Sequence, residues 1–320
     1  MTRNSTFLTA ILILCAASLA TAQSPQPLPK PEVEKAPIPP PDVKIETTQL
    51  APGIHLLTGR GGNVALTVGV DGAAIIDDQF DDMAPKIRAA VAMLSPTPVK
   101  FVINTHLHGD HTGGNDQFGK AGAVIIAQEN VRKRLGSTSF NTATNQPIPP
   151  RAREALPVVT FADAATLHFN DDDLEFRHLP NAHTETDIFI RFRKANIVHM
   201  GDMFTGGFPF IDGSNGGTLD GLIKAHEIVL GEIDDQTKVI RGHGPLGNKT
   251  DLQAYHDMLV VVRDRIAKLV KSGKSQEEVV AARATKEYEA KYGGTNFNAA
   301  QWIGRAYVDQ KSALEKKKRR

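Results

Sequence analysis

The run Thr105-His106-Leu107-His108-Gly109-Asp110-His111 sets four potential metal ligands within six residues, directly after the apolar stretch Phe101 to Ile103. Four such side chains cannot all face one ion. In extended chain, residues two apart point the same way, so His106 and His108 can serve one centre while Asp110 and His111 turn toward a second. Gly109 and the Gly113-Gly114 pair keep the turn compact. A lone His-x-His arises by chance on protein surfaces. His-x-His-x-Asp-His behind an apolar strand instead predicts two neighbouring cations held on a rigid sheet.

Composition narrows the setting. At 41% hydrophobic and 23% charged residues over 320 positions, the chain has enough apolar material for one large core or two modest ones. Arg3 precedes an apolar run from Phe7 to Leu19 that ends in Ala20-Thr21-Ala22, the pattern of a cleaved secretory signal over residues 1–22. That run falls short of the roughly 20 residues that span a bilayer as helix. An uncleaved anchor, or a lipid on Cys15, is the lesser alternative, and a periplasmic or secreted protein without a stable membrane anchor is expected. Of the 37 Lys and Arg the leader takes Arg3 alone, leaving 36 cations against 36 Asp and Glu. A neutral chain has no field to attract nucleic acid or an anionic membrane. Cys15 is the single cysteine and lies in the leader, so internal disulfides, thiolate-bound zinc and thiol nucleophiles are excluded.

Residues 23–42 hold eight of the nineteen prolines and almost no large apolar side chain, which predicts an extended linker. A single domain is expected over 43–320, closing in C-terminal helices, with Lys316 to Arg320 as a solvated tail. Val64, Leu66, Val68 and Val70 read as one face of a strand that turns back through Asp71-Gly72 into Ala73 to Ile76. A helix follows over Ala84 to Leu94. Short apolar strands are expected at Phe101–Ile103, Val124–Ala127, Ile188–Phe192, Ile197–Met200 and Val239–Ile240, with helices near Gln128–Leu135 and Leu219–Leu230. Thr250 and Gln253 suggest a capping box opening a core-facing helix that ends at Gly273. Strands interleaved with helices imply a layered α/β fold.

The histidine motif resembles that of the metallo-β-lactamase superfamily, and further matches follow in order from about Ile45 to Gly247. His183 in Asn181-Ala182-His183-Thr184 stands at the family's third-histidine position, Asp202 in Gly201-Asp202 at that of a bridging aspartate, and His243 in Gly242-His243-Gly244 at that of the last histidine. The resemblance implies a four-layer αββα sandwich with metals at one edge of two packed sheets. It also implies a site in which His106, His108 and His183 hold one ion, Asp110, His111 and His243 the other, and Asp202 both. Imidazole and carboxylate donors suit two zinc ions, and without thiolate they also accept iron or manganese. Such a pair, roughly 3.5 to 4 Å apart, can hold a hydroxide that attacks a carbonyl. Asp77, after the early strand, is expected to orient ligands from beneath the histidine loop.

Departures from the family bear on the substrate. The pattern is nearest to the zinc lactamases with a cysteine ligand, but Asp202 stands at the cysteine position and Thr205 where those enzymes place a lysine. Asn215 falls near an asparagine that polarises the carbonyl there, and an ordinary Gly-rich turn is an equal reading of it. Arg60 or Arg241 is a candidate carboxylate anchor. The Gly59–Asn63 loop is too short and polar to grip an apolar drug, and the Gly136–Arg153 segment forms either one wall of the site or a plain surface loop. His199, His55, His168, His178, His226 and His256 have no ligand-like spacing and read as structural. Together these features predict a metal-dependent hydrolase of a small molecule with a hydrolysable carbonyl, Asp110 and Asn215 being the candidate catalytic residues and β-lactam turnover weak. A lactone or thioester hydrolase, a phosphodiesterase of the same fold, and a non-catalytic metal-binding protein are the alternatives.

Overall fold

Strands that are apolar on both faces require a covering layer on each side, and that requirement shapes the whole architecture. A computed structural model describes residues 43–140, 146–293 and 298–318. The leader, the proline-rich segment and Arg319-Arg320 lie outside the described residues. The first sheet contains β1 (Glu46–Ala51), β2 (Ile54–Thr58), β3 (Val64–Gly69), β4 (Gly72–Ile76), β5 (Val99–Ile103) and β6 (Val124–Gln128). After a small hairpin of β7 (Ser139–Phe140) and β8 (Pro147–Ile148), β9 (Val159–Phe161) completes it, in the order β1-β2-β3-β4-β5-β6-β9. The second sheet runs in sequence order through β10 (Ala164–Phe169), β11 (Asp172–His178), β12 (Ile188–Phe192), β13 (Ile197–His199), β14 (Lys238–Ile240) and β15 (Gly247–Asn248).

Alternation along the strands sorts the apolar side chains into three interfaces. Ala74 and Ile76 of β4 meet Ile188, Ile190 and Phe192 of β12 between the two sheets. Ala73 and Ile75 face outward onto α1 (Ala84–Ala92) and onto Phe118 of α3 (Asn115–Lys120), which follows the one-turn α2 (Gly109–Thr112). Beyond the second sheet, Phe189 and Val198 pack against helices that follow α4 (Glu129–Leu135): α5 (Leu219–Glu232), α6 (Lys249–Lys271) and α7 (Gln276–Ala281), then α8 (Glu289–Tyr292) and α9 (Ala299–Lys318). The result is an αββα sandwich. No helix among the described residues is long and apolar enough to cross a membrane.

Four local expectations need correction. Val70 is not part of the strand face: Gly69 pairs with Gly72, so Val70 and Asp71 form the two-residue turn, and Val70 is fully exposed. Thr250 does not cap α6. Asn248 does, its side chain accepting from the Asp251 amide, and the capping box lies instead at Ser275 and Glu278. The basic stretch at the C-terminus is helix through Lys318, where Lys316 to Lys318 oppose the negative end of the helix dipole. The edge hairpin β10–β11 was not anticipated, because Asp172–His178 is mostly polar and its partner Ala164–Phe169 carries few large apolar side chains.

His226 on α5 yields a pH prediction. Burial lowers its pKa to about 4, although Nε2 donates to the Met203 carbonyl at 2.5 Å. The unfolded chain takes up a proton near pH 6.5 and the folded chain only near 4, so stability is lost as pH falls through that window. The expected loss is roughly 3 kcal/mol. In denaturant titrations from pH 7 to 4, His226→Gln should show a shallower decline than the parent. Parallel declines would count against the assignment.

Candidate metal centre

The putting together of the site begins with Asp77, at the end of β4, whose φ of 63° turns its carboxylate under the histidine loop. Its Oδ1 accepts from the Thr105 amide at 2.7 Å and its Oδ2 from the Thr105 hydroxyl at 2.8 Å. At the same edge the Ile188 amide donates to the Thr105 carbonyl, tying β12 of the second sheet to the loop of the first. Antiparallel pairing of β12 with β13 and parallel pairing of β13 with β14 then bring the start of β12 and the ends of β13 and β14 to one edge. His183, Asp202 and His243 occupy those positions.

The seven residues converge as two donor sets. His108 Nδ1 lies 3.2 Å from His106 Nε2 and 2.9 Å from His183 Nε2. His243 Nε2 lies 3.1 Å from Asp110 Oδ2 and 3.3 Å from His111 Nε2. Asp202 reaches both sets, with Oδ1 3.1 Å from His111 Nε2 and Oδ2 3.8 Å from His183 Nε2. Oδ1 is buried and accepts no well-formed hydrogen bond.

Four of the five outer ring nitrogens have a partner of their own. His183 Nδ1 donates to the Phe210 carbonyl at 2.6 Å, His108 Nε2 to Asp212 Oδ2 at 2.9 Å and His111 Nδ1 to Asp77 Oδ2 at 2.6 Å. His106 Nδ1 sits 3.0 Å from the Thr105 hydroxyl, whose hydrogen is given to Asp77. A neutral imidazole carries one N–H, so protonation on the outside leaves lone pairs facing inward. Inward lone pairs about 3 Å apart repel unless a cation lies between them, and this donor set fits divalent metal.

Electrostatics agree with that fit. Burial holds His183 down to about 4 and, with its histidine neighbours, holds His106 well below the usual imidazole range. Burial also works against charge on His111 and His243, but the carboxylate of Asp202, with Asp77 and Asp110, outweighs it and lifts His243 to about 9. The second donor set therefore attracts positive charge strongly. Binding of a metal there would displace those protons.

Asp212 was missed by sequence reasoning. Burial opposes its charge, but hydrogen bonds from His108, Asn215 and Ser214 hold its carboxyl well below the ordinary range. Its place seven residues before a helix, in a Gly-rich turn, gives no sequence signal. Asn215 Nδ2 donates to Asp212 Oδ2 at 2.7 Å, so the amide that was a candidate carbonyl polariser supports the partner of His108. Asp212→Ala should weaken metal binding about 10- to 100-fold, as loss of an outer partner commonly does. Chelator competition would measure it, and unchanged affinity would remove Asp212 from the site.

Other expectations change as well. Thr205 does not face a cleft: it is buried, pairs in a short bridge with His243, donates to the Gly207 carbonyl at 3.1 Å and lies 3.2 Å from the Tyr255 hydroxyl. Thr205→Lys would bury an ammonium there and should lower unfolding stability by roughly 3 kcal/mol or more. Equal thermal midpoints for the two proteins would contradict this placement. Arg60 pairs with Asp82 and covers Phe80, while Arg241 lies 3.5 Å from Asp251 and covers Phe204, so neither is placed as an anchor. Asp78 is fully buried and accepts from the Gly114 amide. His199 bridges backbone groups of Asn63 and Gly201. The described part of the 136–153 segment does form a wall, since Ser139, Phe140, Ile148 and Arg151 line a cavity of about 1040 Å³ that includes His108 and Asp212.

The sequence profile of the metallo-beta-lactamase superfamily matches residues 57–257, more than half of the chain. The chain belongs to the metallo-β-lactamase superfamily. Its fold agrees with solved metallo-β-lactamases. One from Pontibacter korlensis is 18% identical with a TM-score of 0.55, over 68% of this chain and 99% of that one. The DIM-1 metallo-beta-lactamase is 16% identical with a TM-score of 0.55, over 68% and 98%. A sec-alkylsulfatase, Pisa1 from Pseudomonas sp., is 14% identical with a TM-score of 0.62, over 82% of this chain and 50% of its own. No curated protein sequence matches the chain significantly. At these identities the likeness is one of fold, and superfamily members are mostly metal-dependent hydrolases.

Proposed function

We propose that this metallo-β-lactamase-fold protein is an exported two-zinc hydrolase that opens an amide or ester bond, with weak turnover of β-lactams and lactone or thioester cleavage as the alternative. The observation that carries this is Asp202, whose two carboxylate oxygens reach one donor set each. His106, His108 and His183 would hold one cation, and Asp110, His111 and His243 the other. Bound cations polarise the scissile carbonyl and bring the pKa of a coordinated water toward neutrality. The chain supplies orientation: Asp77 and Asp212 hold rings of His111 and His108, and Phe210 holds His183. Asp110, about a quarter exposed, orients the attacking water. The leader over 1–22 supports a periplasmic or secreted site of action.

No cation stands at Thr205 to hold a lactam carboxylate. β-Lactam hydrolysis should therefore be detectable but slow beside lactone or ester cleavage. The mature metal-loaded protein should be assayed in parallel against a β-lactam chromophore, an acyl-lactone and a phosphodiester. Metal-dependent turnover of a carbonyl substrate supports the reading, and exclusive phosphodiester cleavage would replace it.

A further inference from the structure

Resting on that reading, we infer that Arg151, with Arg305 lining the same cavity, forms an oxyanion subsite that selects substrates carrying an anionic group on an apolar body. The cavity next to the metal centre is one-sided in charge. Among its described lining residues Lys133, Arg134, Arg151 and Arg305 are cationic and Asp212 alone is acidic. Asp212 is already committed to His108, Ser214 and Asn215. Arg134 is held by Glu185 at 2.7 Å and Lys133 by Glu129 at 2.9 Å. Arg151 pairs with no described carboxylate. Its Nη2 lies against Gly109, 3.6 Å from where a Cβ would stand, and Gly109 separates the ligands His108 and Asp110.

Arg305, on α9, lines the same cavity. Its guanidinium lies 5.1 Å from the Phe210 ring centre, and Phe210 stacks on His108 with centres 5.7 Å apart and planes at 29°. Phe210 thus touches both the α9 cation and the His108 ring. Phe140 and Ile148 of the small hairpin line the same cavity, 59% and 44% exposed, and supply its apolar side. Guanidinium groups bind carboxylate and sulfate through paired charge-assisted hydrogen bonds, and either head group satisfies this chemistry. A substrate anchored here presents its scissile bond to the metals from the side lined by Phe140, Ile148 and Arg151.

Calorimetric titration of the metal-loaded protein with 4-phenylbutyrate, phenethyl sulfate and neutral 4-phenylbutanamide tests the subsite without requiring turnover. At least one oxyanion should bind tenfold or more tighter than the amide, and Arg151→Gln should erase most of that preference, with Arg305→Gln reducing it. The better of the two anions identifies the head group. Equal binding of acid, sulfate and amide would overturn the inference. So would an anion preference that survives both substitutions, because the metals themselves would then be the anchor. Both side chains are exposed, so the variants should fold, and thermal unfolding verifies this. A blank hydrolysis screen with an intact arginine-dependent preference would remove the proposed reaction and leave the subsite standing.

Discussion

His108→Ala is expected to reduce hydrolysis by more than the roughly 10- to 100-fold that follows loss of an outer partner, and to lower bound metal from near two ions per chain toward one. His108 is the common member of the tightest contacts in the first donor set, at 2.9 Å from His183 and 3.2 Å from His106. Without its Nδ1 that centre keeps two imidazoles, and metal there loses a third of its nitrogen donors. His256→Ala should retain both ions and near-normal rates, because His256 lies on α6 against Asp257 and Glu227. Elemental analysis and initial rates on the same preparations decide the matter. Equal losses in the two variants would mean that the site lies elsewhere.

Gly242→Ala should have an effect of similar size through the second donor set. A Cβ at Gly242 would stand 2.0 Å from Asp202 Oδ1 and 2.6 Å from the Gly201 carbonyl carbon. Neither neighbour is the end of a long flexible side chain, so the Asp202 carboxylate must move off its position between the two sets. Overpacking of this kind commonly costs about 1–3 kcal/mol of stability, which a protein of this size should survive as a folded chain. The expected result is a folded protein with the second metal lost and activity down by about 100-fold or more. Full metal content with full activity would show that Asp202 tolerates the shift and does not bridge.

Much of the site was legible because its residues cluster in short signals. His106, His108, Asp110 and His111 sit in one turn, and His183, Asp202 and His243 each lie beside an apolar strand. Asp212 was not legible, since its role depends on a turn folding back onto His108, a contact across 104 positions. The inward setting of Thr205 was not legible for a related reason. Its spacing from Asp202 matched a cleft position, but the short bridge to His243 and the Tyr255 hydroxyl turn it inward. Arg60 and Arg241 looked available in sequence, and Asp82 and Asp251 engage them in the fold.

The sequence by itself determined the layered α/β class, the family and the chemical type of the donors, because these depend on local periodicity and on which side chains carry lone pairs. Runs such as Ile188–Phe192 are apolar at every position but one, and only a strand covered on both sides accommodates them. Tertiary structure alone decided how close the seven donors stand, which nitrogen of each ring faces inward, and where cations line the approach. Those properties follow from non-local packing. Ile188 donates to Thr105 across the two sheets, Asp202 lies between ligands from both, and Arg305 of the last helix reaches Phe210 beside a histidine nearly two hundred residues earlier. No local pattern encodes a distance between side chains that only closure of the sandwich brings together.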